Sequence, residues 1–402
     1  MTAATPAPPT HNRRLVGWLS LAQLITWGSV FYTFALLMEP VERELGLSRA
    51  ESSLAFSLAL LAEGLFAFPV GRWIDRGYER AVMTGGSLLV GACLLLHSVI
   101  HSAAAFYAVW FALGAGLAAT LYAPVFAVVT RRFPHDFRRA IITLTFLGGL
   151  ASTVFIPLSA WLIRSLGWRE ALWALAALQL LICAPLHAMQ LRGAPGPLPA
   201  QAGAGTSDAS AGHYLRTAPF LLIGVFVVCM MSVSAALPPH MISLLRGSGL
   251  AEAWVIAIPA AIGVIQVLGR LMLFFFEHHF DVHLANRLIP IFIPLSLSAL
   301  LVGAGYPVAA LLFVLFYGLG NGMMTIVKGT AIAQYVNRQH VASLNGALGV
   351  PTAVARAIAP VLLGILWSPQ AGYVWGLWVL LAMSVLATVA LVMAQRRALP
   401  VS

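Results

Sequence analysis

Three cations and one carboxylate stand in surroundings that otherwise read as hydrocarbon-compatible. Lys328, the only lysine of the 402 residues, lies inside a strongly apolar segment, as do Arg270 and Arg356; Glu63 is the only acid well inside one. A cation in a membrane-spanning helix costs roughly 2.5–3.5 kcal/mol. Three together cost on the order of 8–10 kcal/mol, comparable to the whole stability of an ordinary fold. Such groups persist where they face water, a counter-charge or a bound anion. The chemistry they offer is anion recognition: a guanidinium is a planar fork matched to a carboxylate, and an ammonium is a compact point charge.

Each of the four has an alternative reading. Arg270, about a turn and a half inside its segment, is either a fork for a carboxylate or a helix-end arginine reaching for the interface. Arg356, 13 residues into its segment, meets substrate or forms a structural ion pair. Lys328 binds an anion, sets the local positive potential, or reaches the interface along its stem. Glu63 carries a proton or pairs with Arg356. Polar and aromatic residues suited to lining the same path are Trp27, Tyr32, Tyr122, Gln266, Asn321 and Thr325, each also explicable as packing.

The elements that must position these residues follow from composition. The chain is 60% hydrophobic and 9% charged, against ~25% charged in soluble domains. Apolar runs long enough to cross ~30 Å of hydrocarbon recur twelve times, at 15–37, 52–71, 81–101, 105–130, 140–163, 169–190, 217–240, 254–276, 285–305, 308–332, 343–366 and 371–394. Backbone in lipid must satisfy its own hydrogen bonds, so the expected fold class is an all-α membrane protein of twelve transmembrane helices. With both termini inside, fifteen arginines flank the spans on the inner side and five (Arg43, Arg49, Arg164, Arg169, Arg246) on the outer. That asymmetry predicts cytoplasmic termini, and the lack of an Asn-x-Ser/Thr sequon in the sequence fits a bacterial inner membrane. It also accounts for the net charge of +10 through anionic lipid, without nucleic acid.

Residues 1–14 read as a cytoplasmic tail and 396–402 as another. The Pro- and Gly-rich stretch 191–216 reads as a flexible cytoplasmic linker between a six-helix half at 15–190 and another at 217–395. The halves superpose at an offset of 203–204 residues: Gly46-Leu47 matches Gly249-Leu250, Gly114 matches Gly318, Gly116 matches Gly320 and Pro157 matches Pro360. Two pseudo-symmetric six-span repeats around a midplane path are a transporter plan.

Between spans 2 and 3 stands Gly71-Arg72-Trp73-Ile74-Asp75-Arg76-Gly77-Tyr78-Glu79-Arg80. This resembles the G-x-x-x-D-R-x-G-R/K-R/K signature of the major facilitator superfamily, and with the twelve spans and the repeat the resemblance covers 15–395. Within it the chain looks most like the monocarboxylate porter and oxalate/formate antiporter group, on Arg131-Arg132-Phe133-Pro134, Arg138-Arg139-Ala140, Ile156-Pro157-Leu158, and the cations Arg270 and Arg356. Two departures stand out: Gln266 occupies the place of an acid one turn before the span-8 arginine, and the second-half loop is reduced to Glu277-His278-His279.

The resemblance implies secondary active transport by alternating access, with Gly71, Asp75, Arg76 and Arg80 as a latch for one facing state. Taken with the buried cations it predicts a small organic anion as substrate, a monocarboxylate first, moved with protons or by exchange. The rival reading is an exporter of drugs or other amphipathic compounds. A membrane sensor would need a soluble signalling domain, for which no segment has room. No cofactor or metal is expected, and the protein is expected to be monomeric. Glu277, His279, Asp281 and His283 have metal-like spacing but read as a solvated helix end, and His97 with His101 lacks a third ligand. Nucleophile elbow, phosphate loop and zinc-protease motifs are absent from the sequence, which gives enzymatic chemistry no constellation. Cys93, Cys183 and Cys229 read as packing residues.

Overall fold

A computed structural model describes residues 13–133, 136–195, 212–276, 281–303, 305–337 and 340–398. Among these residues twelve helices are long and apolar enough to span. They are α1 (Arg14–Leu45), α2 (Arg49–Asp75), α3 (Glu79–His97), α4 (Ala103–Arg132), α5 (Arg139–Leu166), α6 (Trp168–Gln190), α7 (Ala218–Gly247), α8 (Glu252–Leu273), α9 (His283–Val302), α10 (Pro307–Tyr335), α11 (Ser343–Ile365) and α12 (Val374–Arg396). Each overlaps its expected segment, with ends displaced by a few residues. The largest difference is α1, which continues through Glu39 and Glu42 to Leu45 because its polar last turns are held by ion pairs rather than by lipid. Large apolar side chains such as Leu181 and Val302 are exposed on the bundle perimeter, the surface that hydrocarbon covers.

Local chemistry sets the helix ends. Gly46 closes α1 with φ +66°, and its expected equivalent Gly249 follows α7 at φ +79°, a region that costs glycine nothing. Ser48 then caps α2: its hydroxyl accepts from the Glu51 N–H (3.3 Å) while its own N–H donates to Glu51 Oε2 (2.8 Å), a reciprocal capping box.

The repeat is also visible in helix packing. A side chain at Gly114 of α4 would strike the main chain of Ala59 in α2, and one at Gly318 of α10 would strike Ile265 and approach Ile262 of α8. Glycine is needed at both places because the helices approach backbone to side chain.

The two halves meet along α2 with α11 and along α5 with α8. The Val361 N–H, next to Pro360 in α11, donates to Ser57 Oγ of α2 (3.2 Å). Thr153 Oγ1 donates to the Ala260 carbonyl (2.6 Å). At the end of the bundle away from the chain termini, Glu39 of α1 accepts from Arg246 of α7 and lies 3.9 Å from Arg49 of α2, while the Arg49 guanidinium sits 5.1 Å over the Trp367 ring. Behind this clasp His240 is fully buried, with Nε2 donating to the Pro360 carbonyl (2.9 Å) and Nδ1 paired with the Tyr373 hydroxyl (3.0 Å). Toward the terminal end the halves part. The close α2–α11 approach runs from Ser53 and Gly364 to Gly64 and Ala353; beyond it Gly71, Gly346 and Gly349 have open space beside them. Along α2 and α11, among the described residues, the seam is therefore closed at one end and open at the other.

Candidate functional site

Two helix irregularities shape the centre of the bundle. In α1 the segment Trp27–Tyr32 is a π-turn, and Gly28 within it lets the Phe155 ring lie against the backbone. In α4 the helix breaks at Leu121, which is extended (ψ −166°). The cause is Pro124, whose ring is incompatible with the carbonyl four residues earlier. That carbonyl, Thr120 O, accepts instead from the buried Gln23 side chain (2.5 Å). The two distortions bring Trp27 and Tyr122 together, ring centroids 5.2 Å apart, with Phe31 edge-on to Trp27 (4.9 Å) and Phe126 stacked on Tyr122 (5.3 Å).

These rings form one side of a cavity of about 490 Å³ between the halves, within the ~300–1,000 Å³ typical of small-molecule sites. All nine residues expected to meet substrate line it: Trp27, Tyr32, Tyr122, Gln266, Arg270, Asn321, Thr325, Lys328 and Arg356, with Glu63 beside them. Lining residues that the sequence reading did not single out include Met231, Ser234, Tyr317 and Thr352. Met231, Ser234 and Thr352 give no signal in a chain where small and apolar residues are common, and Tyr317 reads as one more packing aromatic.

Arg270 does not reach for the interface. Its Nη1 donates to the Thr145 carbonyl of α5 (2.6 Å) and its Nε to the Gly322 carbonyl of α10 (3.3 Å), so one guanidinium ties both halves. Arg356 Nη2 lies 3.3 Å from Glu63 Oε2, joining α11 to α2; the side chains are 29% and 20% exposed. Lys328 also faces the cavity, its Nζ 3.7 Å from the Met231 sulfur, a weak acceptor. Asn321 Oδ1 accepts from Ser234 Oγ (3.1 Å), and Thr325 Oγ1 donates to the Gly322 carbonyl (3.2 Å). Among the described residues neither Arg270 nor Lys328 forms an ion pair with a carboxylate. The cavity lining thus holds three cations and one acid.

The loop between α2 and α3 meets its neighbours through some of its residues and leaves others exposed. Asp75 and Arg76 are exposed, and neither forms an ion pair with a described residue in this state. Arg80 Nε donates to the Ala188 carbonyl of α6 (2.7 Å), and Gly71 stands in open space. The acid engaged here is Glu79, fully buried and 2.5 Å from Arg132 at the end of α4. Arg132 also donates to the Arg192 carbonyl (3.3 Å) and Arg131 to the Pro195 carbonyl (3.0 Å), gathering the α6 exit against the loop. Sequence reading missed Glu79 because it occupies a position where the signature carries a base.

The remaining titratable residues separate. His97 is buried among the Phe106, Trp110 and Trp168 rings, whereas His101 is exposed near Arg169. Glu277, His278 and His279 lie outside the described residues; Asp281 caps the His283 N–H (3.0 Å), and the His283 ring pairs with the Tyr335 hydroxyl (3.3 Å). Cys93 and Cys183 are buried and Cys229 is half-buried, all free thiols.

Twelve spanning helices in two six-helix halves, set around a largely apolar cavity that holds three cations and one acid, define a multi-pass membrane transporter. The sequence matches the family model described as Major Facilitator Superfamily over residues 19–278, and the chain belongs to that family. No curated protein matches it by sequence. Among solved structures it is similar to the nucleoside transporter NupG (TM-score 0.72, 15% identity, 95% of this chain and 98% of that one). It is also similar to a bacterial homolog of the human lysosomal transporter Spinster in an inward-facing, occupied conformation (TM-score 0.70, 16% identity, 97% and 98%).

Proposed function

We propose that the protein carries a small organic anion, a monocarboxylate first, across the bacterial inner membrane by alternating access. The observation that carries this reading is the cavity's charge: Arg270, Lys328 and Arg356 against Glu63 alone. A vestibule with surplus positive charge between two rocking halves favours an anion and disfavours the cationic amphiphiles of a drug exporter. With both termini cytoplasmic, as the arginine distribution implies, the open end faces the cytoplasm and the Glu39–Arg246 clasp faces outward. The six-helix units at 15–190 and 217–395 are the rocking bodies, and the loop Gly71–Arg80 is the element that engages the α4 and α6 ends in one state. Glu63 is the proton-coupling group: a substrate carboxylate that takes its place on Arg356 leaves it free to accept a proton, giving symport.

A second reading, a nucleoside, is favoured by the aromatic wall and by the amides of Gln266 and Asn321. Uptake into proteoliposomes distinguishes them. Radiolabelled carboxylates and a radiolabelled nucleoside are presented with and without a pH gradient. Saturable carboxylate uptake that Lys328→Gln reduces supports the anion reading; nucleoside uptake with no carboxylate uptake overturns it.

A further inference from the structure

The two walls of the cavity differ in chemistry. The first half supplies rings: Trp27 and Phe31 from α1 and Tyr122 and Phe126 from α4. The second half supplies the charge, with Arg270, Lys328 and Arg356. The one charge from the first half, Glu63, is engaged by Arg356 at 3.3 Å. A two- or three-carbon acid satisfies the charged wall and leaves the ring wall bare, and a neutral nucleoside does the reverse.

A second observation points into the same space. Trp27 Nε1 and the Tyr317 hydroxyl are buried, have no hydrogen-bond partner among the described residues, and belong to residues that line the cavity, one in each half. Buried polar groups in native structures are nearly always paired. Both atoms are closed off in this state, so they become available to an acceptor on the cargo, such as an oxygen substituent on a ring, when the lining shifts around it. The cavity volume of about 490 Å³ also suits a ring-sized body better than a very small acid.

Building on the anion reading above, we propose that the cargo is an aromatic carboxylate. Its ring lies against the Trp27–Tyr122 wall of the first half, and its carboxylate lies against the cations of the second. Bound this way, the molecule spans the seam, so its two ends hold opposite halves and favour the occluded state. Planar rings gain from offset or edge contacts with aromatic side chains beyond simple area burial, which a saturated ring of the same charge does not.

The test uses the full chain in proteoliposomes with radiolabelled 4-hydroxybenzoate as probe, competed by unlabelled 4-hydroxybenzoate, cyclohexanecarboxylate, lactate and uridine. The expected result is 4-hydroxybenzoate uptake, displaced by 4-hydroxybenzoate about tenfold more effectively than by cyclohexanecarboxylate, as ring contacts predict, and not displaced by uridine. Trp27→Leu is expected to collapse that ratio to about twofold or less. Equal competition by the saturated and aromatic acids in the unsubstituted protein overturns the aromatic assignment and leaves the anion reading standing. In parallel vesicles given labelled lactate or labelled uridine, uridine uptake with no uptake of either 4-hydroxybenzoate or lactate overturns both.

Discussion

Replacing Glu63 by glutamine isolates the coupling step, because glutamine keeps the shape and removes both the charge and the exchangeable proton. At 3.3 Å and an effective dielectric of about 20, the Glu63–Arg356 attraction is roughly 5 kcal/mol before desolvation is counted. Desolvation of two partly covered ions cancels most of it, and coupling energies for contacting residues fall at about 0.5–3 kcal/mol. A substrate carboxylate on the same guanidinium recovers a similar attraction, so exchange of one carboxylate for the other is close to isoenergetic. The proton taken up by the released Glu63 is what links the step to a pH gradient. With one proton per anion, a one-unit gradient sustains about tenfold accumulation, equivalent to about 1.4 kcal/mol. Glu63→Gln is expected to reduce that ratio to about one while counterflow of labelled against unlabelled anion continues. The assay is parallel measurement of gradient-driven accumulation and equilibrium exchange in the same proteoliposomes. Normal accumulation by Glu63→Gln refutes the coupling role outright. Loss of both activities together with loss of the folded protein makes the pair a structural one.

Further outcomes are expected elsewhere. Lys328→Gln is expected to raise the KM for an anion about tenfold or more, read by initial uptake rates, since it removes a charge that no described carboxylate neutralises. Glu39→Gln takes an acceptor from Arg246 and a counter-charge from Arg49 and Arg43. Partly exposed pairs are worth about 0.2–1 kcal/mol, so the outward-open population is expected to rise up to about fivefold, read by labelling Ser234→Cys from the distal face in a background without the native cysteines. Unchanged labelling removes the clasp from the gating account. Gly114→Ala is expected to destabilise by about 1–3 kcal/mol through overpacking against Ala59, whereas Gly85→Ala, which has open space beside it, is expected to be neutral; thermal unfolding in detergent compares them. Glu79→Gln leaves Arg132 with a buried guanidinium and no counter-charge, a loss of about 3–5 kcal/mol, read the same way.

How much of this is legible beforehand depends on rarity. Arg270, Lys328, Arg356 and Glu63 are conspicuous because charge is scarce in spanning segments, and all four line the same cavity between the halves. The twelve spans are legible because lipid imposes a length and a composition on every helix. Partnerships are not. Glu39 and Arg246 stand 207 residues apart, and nothing local to either announces the other. The break at Leu121 is half legible: Pro124 marks it, but the use of the freed Thr120 carbonyl by Gln23 depends on how α1 packs against α4. Glu79 shows the converse. A motif directs attention to Asp75, while the burial that makes an acid consequential falls four residues later.

The Arg270 tie has an implication for inheritance. Both oxygens that it grips are main-chain carbonyls, so the side chains at positions 145 and 322 contribute nothing to the grip itself. Position 145 is consequently free to drift between threonine and other residues over generations without loosening the joint. Position 322 is not, because any side chain there meets the Gln266 backbone. Lineages descended from this chain should therefore vary at one anchor and stay fixed at the other, although the two serve the same guanidinium.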